Sequence, residues 1–205
     1  MSRSKKLVSG VGVNDANYET QKFKREGDKY INIWRCPIYD IWTGMLRRCY
    51  SETFLKKYPS YMGCQVCEDW KTFSNFKLWV EEQDFIGKCL DKDLLNRGVR
   101  VYSPETCVFI SKNLNSFLVG TRKKEGRLVG ARKVCKKYIA CCNDPFLDKV
   151  VHLGTYETEV EAHLVWKAYK HKLACHVADS WEISDKRIIE ALKSRYAGEG
   201  VYEEV

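Results

Sequence analysis

The 205-residue sequence predicts an α+β protein built from two small domains. Apolar residues at helical spacing alternate along the chain with short β-branched and aromatic runs, which favours mixed helices and strands. The character of the sequence changes at Gly120, where a strongly basic tract begins. We therefore divide the chain into a flexible basic arm (1–30), a first domain (31–120), a basic linker (121–128) and a second domain (129–205).

Composition limits the class of protein. The net charge of +8 favours a polyanionic partner. With 30% charged residues and no apolar run of membrane-spanning length, a membrane protein is excluded. The N-terminus has basic residues but no apolar segment typical of a secretory signal, so we expect a cytoplasmic protein whose ten cysteines are reduced.

Two helices are predicted early in the first domain. The first covers residues 36–50, because Pro37 suits a first helical turn and apolar residues follow at helical spacing. The second covers residues 73–82. Their apolar faces are formed by Ile38, Ile41, Trp42, Met45 and Cys49, and by Phe73, Phe76, Trp79 and Val80.

The most informative stretch, residues 90–117, predicts the order strand, loop, strand, helix. The first strand ends in Asp91-Lys92-Asp93, the second is the run 107–110, and Ser111 is typical of an N-cap for a helix that carries Asn113 and Asn115. A carboxylate at a strand end and an amide on the first helical turns supply hard oxygen ligands. Such ligands suit Mg²⁺ that also holds a phosphate.

The second domain predicts a hairpin followed by helices. Residues 137–142 and 149–153 alternate as strands, with a turn at Asn143-Asp144-Pro145 and Gly154 as the end of the second strand. Thr158 and Glu161 form a capping-box pair. One face of the helix that follows carries Ala162, Val165, Trp166, Tyr169, Leu173 and Val177. A last helix, 184–196, would turn Ile188, Leu192 and Tyr196 inward.

Residues 90–117 resemble the ββα-metal finger of phage HNH endonucleases. That finger has a Leu-Asp-His or Leu-Asp-Arg strand, a Tyr-Ser-Pro-Glu-Asn-Cys turn and a helix with Asn; here Leu90-Asp91-Lys92 and the run 102–107 correspond. The tract before the finger is similar too, and the resemblance covers roughly two thirds of the chain. It rests upstream on Trp42, Met45 and the runs 48–51, 58–61 and 66–70.

The resemblance implies that Asp91 and Asn115 hold one divalent cation, Mg²⁺ or Mn²⁺, with Asn113 as the rival to Asn115. The family's usual general base, a histidine after the aspartate, is replaced by Lys92, and the asparagine that steadies its loop by Thr106.

Lys92 lies between two carboxylates, so we expect its amine to stay charged. A charged amine suits holding phosphate or stabilising the leaving oxyanion, while Asp93 would orient a metal-bound water. The alternative is that Asp91, Lys92 and Asp93 form a solvated turn in a finger retained for its shape.

The second domain resembles AP2-type DNA-binding domains, which place a three-stranded sheet against DNA with a helix behind it. The matching residues are Val129-Gly130, the run 137–140, the run 153–156 and Glu161-Ala162. Arg132 and Lys133 are candidates to enter a DNA groove, and the other cations are candidates for backbone contact; the alternative is a solvated linker. The cations are Arg122, Lys123, Lys124, Arg127, Arg132, Lys133, Lys136 and Lys137.

The cysteines leave a structural zinc site open as an alternative. Cys64 and Cys67 form a CxxC pair that Cys36 and Cys49 could complete. These spacings are long, so buried reduced thiols are the preferred interpretation.

Together these observations predict a metal-dependent HNH endonuclease of homing type that binds and cleaves double-stranded DNA. The alternative is a catalytically degenerate DNA-binding protein that acts as a regulator or as an inhibitor of a host factor. A third hypothesis is a module that uses its basic surface against an acidic host protein.

Overall fold

The computed structural model describes residues 7–119 and 127–198, and the chain divides into two compact units, Met1–Ser111 and Lys112–Val205. Helices and small sheets alternate in both units, so the α+β prediction is confirmed. Within the described residues, no helix combines the length and apolarity needed to cross a membrane.

Over its described residues, 7–111, the first unit contains three α-helices and six short strands. In chain order they are β1 (Gln21–Glu26), β2 (Lys29–Arg35), α1 (Pro37–Tyr50), α2 (Glu52–Lys57), β3 (Gln65–Val66), α3 (Phe73–Glu81), β4 (Cys89–Asp91), β5 (Val101–Tyr102) and β6 (Val108–Ile110). Strand β1 pairs with β2 and β4 with β6, both antiparallel, and β3 pairs with β5 in parallel. Helices α1 and α3 lie where helical spacing predicted them.

An aromatic core joins α1 to α3. Trp42 is fully buried and its indole N–H donates to the carbonyl of Trp70 at 2.7 Å. Phe73 packs against Trp42 with ring centroids 5.4 Å apart. The indole therefore enters the core with its polar hydrogen satisfied, which removes the cost of burying it.

Residues 7–30 differ from the loosely held arm that we predicted. Val8 and Val11 pack against the core. The Asp15 carboxylate accepts the backbone N–H of Ser74, at 2.9 Å, in the first turn of α3. Gly12 is buried, and a Cβ there would collide with Leu46. Polar composition concealed these contacts because each depends on a single residue and not on a periodic pattern.

The second unit contains α4 (Lys112–Leu118), β7 (Ala131–Val134), β8 (Lys137–Asp144), β9 (Lys149–Tyr156), α5 (Glu159–Ser180) and α6 (Lys186–Arg195). The strands form an antiparallel sheet of order β7-β8-β9, against which α5 packs, and α6 packs on α5. Thr158 and Glu161 form the predicted capping box at the start of α5. The inward residues predicted for α6 are buried: Ile188, Leu192 and Tyr196.

Two boundaries differ from the predictions. Strand β9 continues through Gly154, whose φ of +138° suits glycine, instead of ending there. Helix α4 belongs to the second unit, so the division falls before Lys112 and not at Gly120. The physical reason is that Lys170 donates to the carbonyl of Phe117 at 2.8 Å, while the Phe117 ring meets Trp181 edge-on at 6.3 Å.

Candidate active site and nucleic-acid interface

Asp91 lies at the end of β4, opposite Val108 of β6. It is half-buried, and its Oδ1 accepts the backbone N–H groups of Asp93 at 2.9 Å and Leu94 at 2.7 Å. These two bonds close the turn after the strand and hold the carboxylate in one position. A carboxylate held this way is a suitable hard ligand for a divalent cation.

Lys92 follows Asp91 but points into the protein, and the residue is only 6% exposed. Its Nζ lies 2.5 Å from Oδ1 of Asp93 and 5.8 Å from the ring centroid of Tyr102. Burial by itself lowers the pKa of Lys92, but the hydrogen bond and charge of Asp93 outweigh it, so the pKa is above its ordinary value. The amine is therefore charged, as we predicted.

The burial of Lys92 changes the interpretation of this turn. A charged, enclosed ammonium has no lone pair with which to accept a proton. It also differs from the solvated turn considered above, because Lys92 is enclosed while the Asp93 side chain is 57% exposed. The geometry assigns Lys92 and Asp93 to an ion pair that shapes the turn carrying Asp91.

The loop between β5 and β6 is held by Thr106, which stands where the HNH finger has asparagine. Its hydroxyl donates to the carbonyl of Val101 at 2.7 Å and accepts the N–H of Ser103 at 3.1 Å. Threonine thus makes the local bonds that close this loop.

Arg48 and Tyr102 are site neighbours that sequence reasoning missed. The Arg48 guanidinium lies 5.5 Å from the Tyr102 ring centroid, and its Nε donates to the Tyr102 hydroxyl at 3.2 Å. Burial raises the pKa of Tyr102, so the phenol stays neutral between two cations, Arg48 and Lys92. The two residues are 54 positions apart, and no local pattern signals the contact.

Asn113 and Asn115 both lie on α4, as predicted, and so belong to the second unit. Asn113 is exposed and Asn115 is half-buried. Asn113 also lines a cavity of about 480 Å³ in that unit, together with Lys170 and Trp166.

The sheet of the second unit has one face against α5 and one facing away from it. Ala140 and Cys142 are buried on the α5 side. Because successive strand residues point to opposite faces, Ile139 and Cys141 lie on the other, outer face. Lys137 and Asn143 lie on the outer face too, because each is two residues away from Ile139 or Cys141 on the same strand. The cross-strand partners of these four residues complete the face: Arg132, Val134, Val150, His152 and Thr155.

The predicted DNA-binding cations do not all lie on the outer face. Arg132 pairs across the strands with Ile139 and lies on it, whereas Lys133 pairs with Tyr138 on the α5 side. The two residues therefore cannot enter a groove together from this face. Lys137 lies on the outer face and pairs with Glu157 at 2.7 Å. Arg127 and Lys136 are exposed outside the strands.

Three predicted backbone contacts lie outside the described residues: Arg122, Lys123 and Lys124.

The described cysteines are free thiols. Burial raises the pKa of Cys49 and of Cys107 to about 12, so both stay protonated at neutral pH. Within residues 7–119 and 127–198, no three His, Cys, Asp or Glu side chains are grouped to hold a metal ion. The four-cysteine site left open for Cys36, Cys49, Cys64 and Cys67 is accordingly not assembled there.

No protein family, no curated protein and no solved structure matches this chain.

Proposed function

We propose that the protein binds duplex DNA and cleaves it with the help of a divalent cation, as an HNH-type endonuclease with an AP2-like second domain. The observation that carries the proposal is the outer face of the β7-β8-β9 sheet. Among its described strand residues this face has cations and hydrogen-bonding groups, among them Arg132, Asn143 and Thr155, and no carboxylate. A polyanionic backbone would meet no like charge on the strands themselves, and the Glu157 carboxylate beside this face is paired with Lys137.

The proposed cleavage depends on Asp91. Its half-buried carboxylate, fixed by two backbone N–H groups, supplies the oxygen ligand that Mg²⁺ or Mn²⁺ prefers. A bound cation would neutralise phosphate charge and lower the pKa of a coordinated water. Lys92 and Asp93 would act indirectly, because their ion pair holds the turn on which Asp91 sits. Asn115 is the other ligand implied by the HNH resemblance.

A second candidate function is DNA binding without cleavage, as a regulator or an inhibitor of a host factor. The observation that favours it is also at Lys92. In the position where the HNH finger has its histidine base, this chain has a charged amine that is 6% exposed. Such a group neither abstracts a proton nor reaches a phosphate, so the finger would serve only as a scaffold.

Incubation of the protein with supercoiled plasmid and Mg²⁺ or Mn²⁺ tests the proposal. We expect nicking that EDTA and Asp91→Ala both abolish and that Asn115→Ala strongly reduces. A matched control is Glu81→Ala, which removes an exposed carboxylate of the same unit.

Binding assays separate the outcomes. DNA binding without nicking would support the second candidate. Folded protein that neither nicks nor binds DNA with a steep salt dependence would contradict both and point to an acidic protein partner.

A further inference from the structure

Strands β1 and β2 form a two-stranded ribbon, residues 21–35, that we call the ribbon. Gly27, with φ of +59°, lies in the tight turn at its tip. Its base is closed by the N–H of Cys36, which donates to the carbonyl of Thr20 at 2.9 Å. Arg35 then joins the ribbon to α1 through the Asp40 carboxylate at 3.0 Å. The ribbon thus has an anchored base and a projecting tip.

Both faces of the ribbon are exposed. Every residue of β2 is exposed, and so is every residue of β1 after Gln21. Tyr30 is 71% exposed, Ile33 60% and Phe23 51%. A two-stranded sheet with no covering layer gains little stability from burial. Clustered exposed apolar side chains are typical of a surface that binds a partner.

The strand register divides the ribbon into two chemically different faces. Cross-strand partners share a face, and residues two apart along a strand share it too. Where the register shifts after Lys22, Ile33 is the extra residue. One face, which we call the reading face, carries Gln21, Phe23, Arg25, Tyr30, Asn32 and Arg35. The opposite face carries Lys22, Lys24, Glu26, Lys29, Ile31 and Trp34.

The two faces differ in charge and in hydrogen-bonding groups. Among the described residues, the reading face has two arginines, two amides and two aromatic rings but no carboxylate. On the opposite face, Lys24 already pairs with Glu26 at 3.3 Å, and Lys22 lies 5.8 Å from the Trp34 ring centroid. On the reading face Arg35 is likewise bound by Asp40, so Arg25 and the two amides are the polar groups that this face offers to an external partner.

The base of the reading face continues into a basic groove of about 680 Å³. Gln21 and Arg35 line the groove, and so do three more cations, Arg47, Arg48 and Lys88. Among the described residues that line it, one is a carboxylate, Asp40, and it is bound by Arg35. The groove reaches Cys89 and Leu90, which directly precede Asp91 on β4. A phosphate backbone in this groove would lie beside the strand that carries the candidate metal ligand.

We propose that the ribbon enters the major groove of duplex DNA, with the reading face toward the base edges and the basic groove on the adjacent backbone. This inference rests on the proposed function, since it takes DNA as the ligand, and it adds a second reading element in the first unit.

The dimensions and chemistry of the ribbon fit this partner. The major groove admits a two-stranded ribbon, arginine pairs with guanine, and asparagine or glutamine pairs with adenine. At about 3.3 Å per residue, the seven residues of β2 extend roughly 23 Å, enough to reach across the groove.

Charge favours DNA over a second copy of this chain. The ribbon has five cations, Lys22, Lys24, Arg25, Lys29 and Arg35, against two carboxylates, Glu26 and Asp28. Two ribbons that paired edge to edge would bring like charges together, whereas a phosphate backbone would neutralise them.

A matched pair of variants of the full chain tests the proposal. Arg25→Ala and Lys24→Ala each remove one cation from adjacent, exposed positions, but on opposite faces. Duplex sites are first selected from a random pool with the unchanged protein, and affinities are then measured at fixed salt. We expect Arg25→Ala to weaken binding roughly tenfold at selected sites and Lys24→Ala at most about threefold. Guanine N7 methylation, which blocks the major groove, should interfere with binding by the unchanged protein and lose one interference position with Arg25→Ala.

The outcomes separate this proposal from the proposed function. Equal binding by the unchanged protein and both ribbon variants, together with loss of binding in Arg132→Ala, would overturn the ribbon's role and leave DNA binding intact. Folded protein without any DNA affinity would overturn both. A change in sedimentation caused by Arg25→Ala with unchanged DNA affinity would assign the ribbon to contact between copies. Thermal unfolding followed by circular dichroism verifies that each variant is folded.

Discussion

Two buried lysines, one in each unit, meet different surroundings. Lys92 is 6% exposed and Lys170 5%. The Lys92 ammonium has the Asp93 carboxylate at 2.5 Å. The Lys170 amine donates to the carbonyl of Phe117 at 2.8 Å and lies 3.4 Å from the Phe117 ring centroid. The two side chains are equally enclosed but have partners of different charge.

This difference decides the direction in which the pKa of each amine moves. Asp93 holds the pKa of Lys92 above its ordinary value despite burial. Burial lowers the pKa of Lys170 to about 8, although Cys142 offsets part of the effect. A neutral carbonyl and a ring stabilise an ammonium less than a carboxylate does. Burial alone therefore does not determine the protonation state of a lysine; its nearest partner does.

The largest effect is expected from the pH dependence of Lys170. The unfolded chain has a lysine pKa of 10.5 and the folded unit one of about 8, so between these pH values only the unfolded chain keeps the proton. The free energy of unfolding therefore rises with pH across this window. Below pH 8 the folded unit bears the full cost of burying a charged Lys170 amine. Across the window the free energy of unfolding should rise by about 3 kcal/mol in total, with a slope of up to about 1.4 kcal/mol per pH unit.

Lys170→Met should remove that slope. Urea unfolding of both proteins from pH 7.5 to 10, followed by tryptophan fluorescence, checks it. Both proteins carry Cys142→Ala, because the raised pKa of Cys142 makes alkaline pH destabilising and the Lys170 charge acts on that thiol. Parallel curves at every pH would show that Lys170 keeps an ordinary pKa.

The next effect is the loss of the partner of Lys92. Asp93→Ala leaves a buried ammonium without its carboxylate, which should lower the free energy of unfolding by about 2 kcal/mol. This loss is smaller than for a fully buried ion pair because the Asp93 side chain is more than half exposed. Asp84→Ala breaks the more exposed pair with Lys88, which is 2.6 Å long, and should cost under about 1 kcal/mol. Urea unfolding measures both. Equal losses of stability in the two variants would mean that the buried Lys92 pair stabilises the fold no more than the exposed Lys88 pair does.

The smallest effect is expected from giving Lys170 a carboxylate neighbour like the one that Lys92 has. Ser116 lines the same cavity as Lys170, so Ser116→Asp would bring a carboxylate toward its amine. The pKa of Lys170 should rise, and the stability gain between pH 8 and 10 should shrink by about 1 kcal/mol. Ser116→Asn is the uncharged control of similar size. If the aspartate and asparagine variants have identical pH profiles, the added charge does not reach Lys170.

Sequence reasoning succeeded where structure depends on neighbours in the chain. Pro37 and the spacing of Trp42 and Met45 predicted α1, and Thr158 with Glu161 predicted the start of α5. Each of these signals acts within one or two helical turns, so it can be read without the rest of the molecule. The inward face of α6 followed from the same periodicity. On α5, Ala162, Trp166, Leu173 and Val177 are buried as predicted, whereas Val165 and Tyr169 are half-buried. Lys170 is buried on α5 although no periodic pattern predicted it.

Sequence reasoning failed where the surroundings of a side chain are formed by residues far away in the chain. Asp91-Lys92-Asp93 has the composition of a solvated turn, yet Lys92 is enclosed beside Tyr102. Residues 21–30 of the ribbon were predicted as part of an arm. Both faces of the ribbon are exposed, so its strands lack the alternation of a half-buried sheet. The Arg48–Tyr102 contact spans 54 positions and has no local signature.

By itself the sequence determined the α+β class, the main helices and the residues that resemble a metal finger and a DNA-binding sheet, because local periodicity and capping carry that information. Only the tertiary structure decided which charges are buried, which cations share a face and to which unit α4 belongs. Packing sets these properties: it brings Asp93 to Lys92 and Phe117 to Lys170, and it places Arg132 and Lys133 on opposite faces of one sheet.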